Sequence, residues 1–428
     1  MEQSGAPAAL DRRLGVPDAV VIGLGSMLGA GVFVVFAPAT AAAGSGLGLL
    51  VALVIAGFVA YCNATSSARL AARYPESGGT YVYGRERLGD LAGFVAGWSF
   101  VAGKTASCAA MALTIGAYLW PGQAKLVAVL AVVAVTSVNL GGIGKTARAT
   151  RWLVTITLAV LATVTVVGVA TGSADPARLV DRSGFTGYGV LGAAGLLFFA
   201  FAGYARIATL GEEVRDPERT IPRAVPVALG LVLLVYLTLA TVTLAVLGAD
   251  RLADSTTPLA DLVEAAGLPT LAPLVRLGAA VAVVGVLLAL VAGVGRTALA
   301  MARRGDLPRA LAAVHPDRRV PYRAELLVAG LVIVLVSLGD LASAIGFSSC
   351  AVLVYYAITN AAALTLNRDP GRRLPVRALA LLGLLGCLTL AATLPPATVL
   401  TALAVLALAT LARTLRGARC RRALLGRR

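Results

Sequence analysis

An all-α integral membrane protein with twelve spans is predicted by three features: the composition, the length of the apolar runs and the distribution of positive charge. Of 428 residues, 58% are hydrophobic and 14% are charged, and the mean hydropathy is +0.86. A water-facing surface draws on about 25% charged residues, so this chain lacks the material to cover itself against water. The 37 Lys and Arg outnumber the 21 Asp and Glu to give a formal +16 and a pI near 10.3. At this hydropathy the excess marks topology and does not point to nucleic acid as a partner.

A helix needs roughly 20 apolar residues to cross about 30 Å of hydrocarbon. Such runs lie near 17–41, 46–69, 89–118, 124–143, 150–171, 188–209, 224–248, 271–298, 323–339, 341–366, 375–394 and 396–414, numbered here as spans 1 to 12. They are continuously apolar and do not alternate every second residue, which favours helices over a barrel. Thirty of the 37 basic residues fall on loops that share a side with the N-terminus, five (Lys125, Arg178, Arg182, Arg251 and Arg276) fall on the other side, and Lys104 and Arg206 lie within spans. Because cytoplasmic loops collect Lys and Arg, both termini are expected in the cytoplasm of a plasma-membrane protein. Residues 1–16 would be a cytoplasmic segment and 415–428 a basic tail, whose arginines also attract anionic lipid.

The remaining counts exclude chemistries. Histidine occurs once, as His315, and reads as a surface residue of a basic loop; the five cysteines share no CxxC spacing. Neither a metal site, a disulfide framework nor a bound cofactor follows. The leading MEQSGAPAALDRRLG is polar for too long to be a cleaved signal peptide.

Span 1 carries Gly23, Gly25, Gly29 and Gly31 in GLGSMLGAGVF near the membrane midplane. Glycine costs about 1 kcal/mol in a helix interior relative to Ala, so a cluster makes local unwinding cheap. An unwound segment offers free N–H groups to a carboxylate. The Gly25/Gly29 pair reads equally as a close-packing motif. Span 6 has a second weak point at Gly203 in FFAFAGYARIATLGEE. Paired interruptions point to a secondary transporter built from inverted repeats, with 17–171 as the first five helices, 188–366 as the second five and 375–414 as two extra helices.

No Asp or Glu sits deep in a span; Asp18 and Glu325 are at span ends. A cationic substrate side chain would therefore lack a counter-ion, an arrangement that is costly inside a membrane. Lys104, by contrast, lies mid-span in GWSFVAGKTASCAAM, about 22 Å by helix rise from either end and beyond the reach of snorkelling. Its candidate roles are a partner for a carboxylate, a fixed charge in place of a sodium ion, or a proton carrier. Arg206 reads either as functional or as an interfacial partner of Glu212 or Glu213.

Four stretches, GLGSMLGAGVF (23–33), ARYPESGGTYVYGRERLGD (72–90), FAFAGYARIATLGEEVRDPERTIPRA (199–224) and GRTALAMARRGDLPRALAAVHP (295–316), resemble amino acid permeases of the amino acid/polyamine/organocation superfamily. The likeness covers spans 1 to 10 and is nearest to the cationic amino acid transporter and bacterial permease branches. The resemblance implies a LeuT-like fold of two inverted five-helix repeats plus two helices. It implies that a substrate carboxylate meets Ser26, Met27, Leu28, Gly29, Ala30 and Gly31, and that its amino group meets carbonyls across Phe201, Ala202, Gly203 and Tyr204. Lys104 and Cys108 would face the cavity, and Phe199 or Phe201 would supply an aromatic gate. Two positions depart from the pattern. Relatives usually place an acid after the Gly-aromatic pair, where this chain has Ala205, and proton-coupled relatives place a lysine in span 5, where it has Thr157.

The expected activity is secondary active transport of amino acids by alternating access, neutral ones favoured, with acidic or cationic amino acids or polyamines as the alternative. The coupling partner would be a proton or a counter-substrate, with Lys104 and Thr157 as coupling candidates, in a monomer or homodimer surrounded by lipid. An intramembrane enzyme would need an embedded acid, His or metal pair, and a channel a filter sequence. The spans offer neither. In Tyr74-Pro75-Glu76-Ser77-Gly78-Gly79 the Pro and Gly residues stop a helix, and Arg215, Asp216 and Arg219 with Glu212 and Glu213 read as interfacial charge.

Overall fold

The computed structural model describes residues 14–74, 78–142, 147–208, 214–366 and 373–425. Each of the twelve predicted runs is helical, and among the described residues the one β feature is an isolated bridge between Leu14 and Val214. Span 1 comes in three pieces, α1 (Val16–Met27), α2 (Ala30–Val34) and α3 (Phe36–Ala43). Span 2 is α4 (Gly46–Arg73), whose first turn is capped by the Ser45 hydroxyl accepting from the Gly48 N–H. A short helix, α5 (Thr80–Leu88), then leads into α6 (Asp90–Leu119), α7 (Ala124–Leu140) and α8 (Ala147–Ala170).

Span 6 is also divided: α9 (Gly187–Phe201), a 3₁₀ turn over Ala202–Tyr204, and α10 (Ala205–Ala208). Next come α11 (Pro217–Leu247), the short α12 (Ala249–Ala253) and α13 (Pro258–Ala265), and then α14 (Ala272–Arg303), α15 (Tyr322–Leu338), α16 (Leu341–Leu364), α17 (Arg373–Ala392) and α18 (Pro396–Leu425). Among the described residues nine helical stretches, one of them Gly187–Ile207 across the span 6 turn, are long and apolar enough to cross a membrane. Several outrun the apolar stretch that predicted them. Span 8 was expected to end near 298, but α14 continues to Arg303, because charge ends an apolar run without ending a helix.

The long helix α6, buried along most of its length, packs between α14 and α16; α9 lies against α3 and α4, and α1 against α11. On the outside, Leu126, Leu130, Trp152, Val166, Leu400 and Leu408 are exposed, as a lipid-facing belt requires.

The two ends of the bundle are held differently. At the end carrying α5, the buried Asp306 carboxylate accepts from Tyr81 Oη at 2.7 Å, from Arg85 at 3.1 Å and from Arg413 at 2.8 Å, which ties α5, the end of α14 and α18 together. Burial, then the Asp306 carboxylate, push the Tyr81 phenol up to about 12, so it stays a donor. His315, expected at the surface, is partly exposed and edge-on to the Tyr322 ring. Of the charge cluster before α11, Glu212 and Glu213 lie outside the described residues, while the Arg215 N–H donates to Leu14 O at 2.9 Å. At the opposite end Tyr118 donates to Phe33 O at 2.7 Å, and the two rings meet edge to face, closing span 1 against span 3.

Candidate functional site

The break in span 1 is an inverse γ-turn. Leu28 has φ −78 and ψ 58, and the Gly29 N–H turns back to Met27 O at 2.8 Å. α2 restarts at Ala30, and the N–H groups of a helix's first turn have no intrahelical acceptor. The glycines of the motif also serve close packing: a Cβ on Gly25 would come 2.8 Å from Val154, and one on Gly31 2.6 Å from the Ala200 backbone. Both sequence readings of the cluster, unwinding and packing, therefore describe different glycines of one segment.

The two breaks touch each other. A Cβ on Gly203 would overlap the Ser26 carbonyl, so only glycine lets the 3₁₀ turn of span 6 reach the turn of span 1. Tyr236, in α11, clamps both. Its buried hydroxyl lies 2.7 Å from Met27 O and 3.0 Å from Ala200 O, sharing one proton between them, while its ring packs against Phe36 and Phe201.

Between the breaks, α6 and α14 lies a cavity of about 510 Å³. The α6 wall is Phe100, Lys104, Ser107 and Met111, spaced as one stripe of a helix. A second stripe runs down α14 from Val286 and Leu290 through Gly293 and Arg296 to Arg303. Arg206, Arg296 and Arg303 are exposed and rim the mouth, which opens at the end carrying α5, beside Gly79 and Tyr81. Among the described lining residues there is no carboxylate.

Of the residues expected from the sequence, Ser26, Met27, Gly29, Ala30 and Gly31 line this cavity from span 1. Phe199, Ala202 and Gly203 line it from span 6, and Lys104 from span 3. Lys104 is 8% exposed, and its Nζ donates to Ala202 O at 3.4 Å. Tyr356 Oη approaches the same oxygen at 3.5 Å.

Packing takes the others elsewhere. Leu28, at the apex of the γ-turn, points into a separate void of about 20 Å³ beside α8 and α14, room for roughly one water. Cys108, one turn after Lys104, is buried away from the cavity. Phe201 packs on Tyr236, and Tyr204 stacks on Tyr356 with ring centroids 5.0 Å apart. Thr157 borders the small void with Leu28, and its hydroxyl donates to Leu153 O at 2.8 Å, the usual i−4 bond of a helical Thr. Lys104 and Thr157 thus stand in different spaces.

Sequence reasoning missed Phe100, Met111, Arg296, Arg303 and Tyr236. Projecting a helical stripe through Lys104 yields Phe100 and Met111. No local signal marks Tyr236, whose partners lie far away in the chain.

A family model described as amino acid permease matches residues 14–411. The chain belongs to the amino acid permease family. The permease is 60% identical over 393 residues to an uncharacterized transporter of Mycobacterium tuberculosis, covering 92% of this chain and 88% of that one. It is 26% identical to the branched-chain amino acid permease of Bacillus subtilis, over 82% of this chain and 80% of that one. Among solved structures, that of MhsT in complex with L-phenylalanine matches with a TM-score of 0.65 at 15% identity, covering 91% of the permease and all of MhsT. The permease is therefore a multi-pass membrane transporter with a LeuT-like fold, and not an enzyme.

Proposed function

We propose that the permease is a secondary active transporter that moves amino acids by alternating access around the cavity between the two breaks, with neutral amino acids favoured. The observation that carries this reading is the composition of the wall at depth. Phe100, Met111, Phe199, Val286 and Leu290 line the cavity with apolar groups, and the described lining offers no carboxylate to a cationic side chain. The first turn of α2, at Ala30 and Gly31, receives the substrate carboxylate, and Ala202 O receives its amino group. Phe199 closes over the bound molecule.

On this reading spans 1–5 and 6–10 are the two inverted repeats, and the end carrying α5 and the arginine rim faces the cytoplasm, with both termini inside and the protein in the plasma membrane. The cavity then opens inward. A proton or a counter-substrate drives the cycle. A second reading, transport of acidic amino acids, is favoured by Arg206, Arg296 and Arg303 at the mouth.

Counterflow in proteoliposomes tests the proposal. Internal unlabelled leucine, valine or phenylalanine should accelerate uptake of the same labelled amino acid, while arginine and lysine should not. Acceleration by aspartate and glutamate alone would select the second reading, and acceleration by none of the twenty amino acids would overturn both.

A further inference from the structure

Lys104 holds the one alkylammonium group inside the described part of the cavity, and it sits on the backbone carbonyl of the span 6 break. Its Nζ donates to Ala202 O at 3.4 Å, its one direct hydrogen-bond partner among the described residues. The described residues that line the cavity with it carry no compensating negative charge: Ser107 on α6, Tyr355 on α16, and at the mouth Arg206 after α9 and Arg296 and Arg303 on α14. The lysine is thus held by a carbonyl dipole, with Tyr356 Oη as its neighbour on the same oxygen.

A primary alkylammonium is the same chemical group as the α-ammonium of an amino acid. An acceptor that holds one has the polarity and the room to hold the other. It cannot hold both, because two like charges on one carbonyl repel each other in a site of low dielectric. When the carrier is empty and closes, a buried carbonyl without an ammonium on it would keep only the long 3.5 Å approach of Tyr356 Oη, which is unfavourable.

We infer that Lys104 is a tethered stand-in for the substrate's amino group: it occupies Ala202 O in the empty carrier, withdraws when substrate arrives, and so determines whether the carrier returns empty or only loaded. This inference rests on reading the cavity as an amino acid site. Lys104 becomes a positioning residue that sets the balance between net transport and exchange, a role separate from binding the carboxylate or carrying the coupling ion.

The test uses the full chain in proteoliposomes with an amino acid that the wild type transports. Net flux into substrate-free vesicles and exchange into substrate-loaded vesicles are measured for wild type and for Lys104→Met. The ratio of net flux to exchange should fall about tenfold or more in Lys104→Met, the scale of taking a charged donor from a buried acceptor. Methylammonium chloride should restore the ratio in the variant and leave the wild type unaffected. An unchanged ratio overturns the inference, and so does a fall that methylammonium does not reverse.

A measurement on the wild type alone covers a variant that does not fold. The deaminated analogue of the substrate, a carboxylate with the same side chain, should compete with it within about tenfold, because Lys104 supplies the missing cation. Failure to compete overturns the stand-in role. If the wild type moves no amino acid in either mode, it is the functional reading that fails.

Discussion

The Tyr236 hydroxyl lies 2.7 Å from the Met27 carbonyl, at the last helical residue before the turn that interrupts span 1. The same hydroxyl is 3.0 Å from Ala200 O, just before the turn that interrupts span 6. One side chain of α11 therefore satisfies a carbonyl at each break and holds the two breaks in register. Interrupted helices free backbone groups that hydrocarbon cannot solvate, and they persist only where protein supplies the partner.

Tyr236→Phe keeps the ring contacts with Phe36 and Phe201 and removes only the hydroxyl that the two carbonyls share. Two buried carbonyls lose a donor, so the unfolding free energy should drop by about 1–3 kcal/mol. Substrate affinity should weaken as well, because the turns bearing Ala30 and Ala202 are no longer fixed to each other. Thermal unfolding with and without a transported amino acid measures both effects. An unchanged melting temperature would mean that the breaks are held by packing alone.

The order of the spans was readable because a membrane imposes one rule, a continuous apolar run of fixed length, and charge between the runs separates them. The breaks were readable where glycine concentrates, at Gly29 and Gly203. Side-chain direction inside a break was not. Leu28 and Tyr204 were expected at the cavity, but a γ-turn and a 3₁₀ turn rotate them away, and helical spacing does not carry through such turns. The arginine rim was hidden for another reason. Arg303 appears in the sequence as loop charge, whereas α14 extends past its apolar stretch and carries it down the cavity-lining face that also bears Gly293 and Arg296.

Gly203→Ala tests how closely the breaks must approach. The added methyl would overlap the Ser26 carbonyl and come 2.8 Å from the Met27 N–H, and both of those atoms are backbone with no rotamer to yield. Overpacking of this kind costs about 1–3 kcal/mol when the surroundings shift to accommodate it. Transport should fall more than stability does, because the shift opens the cavity where the carboxylate and amino groups are read. The check is initial uptake rate at saturating substrate alongside the melting temperature. A variant that transports at the wild-type rate would show that the two turns separate during the cycle without consequence.

Ala205 stands on the cavity wall directly after the span 6 turn, at the place where the resembling permeases carry an acid. Ala205→Asp would put a carboxylate into a wall whose described residues include none, within the space that Lys104 and Arg206 border. Exclusion of cationic side chains, if it arises from the missing counter-ion, should then relax. A charge-assisted hydrogen bond contributes about 1.5–3 kcal/mol, so arginine or lysine should compete with the labelled neutral substrate roughly ten- to a hundredfold better than against the wild type. Part of that gain would be lost to pairing between the new carboxylate and Lys104, which sets the lower end of the range. The measurement is competition of uptake at fixed labelled substrate. If arginine and lysine still fail to compete while neutral uptake persists, then the shape of the apolar wall at Phe100, Met111 and Phe199, and not the absent counter-ion, selects the substrate.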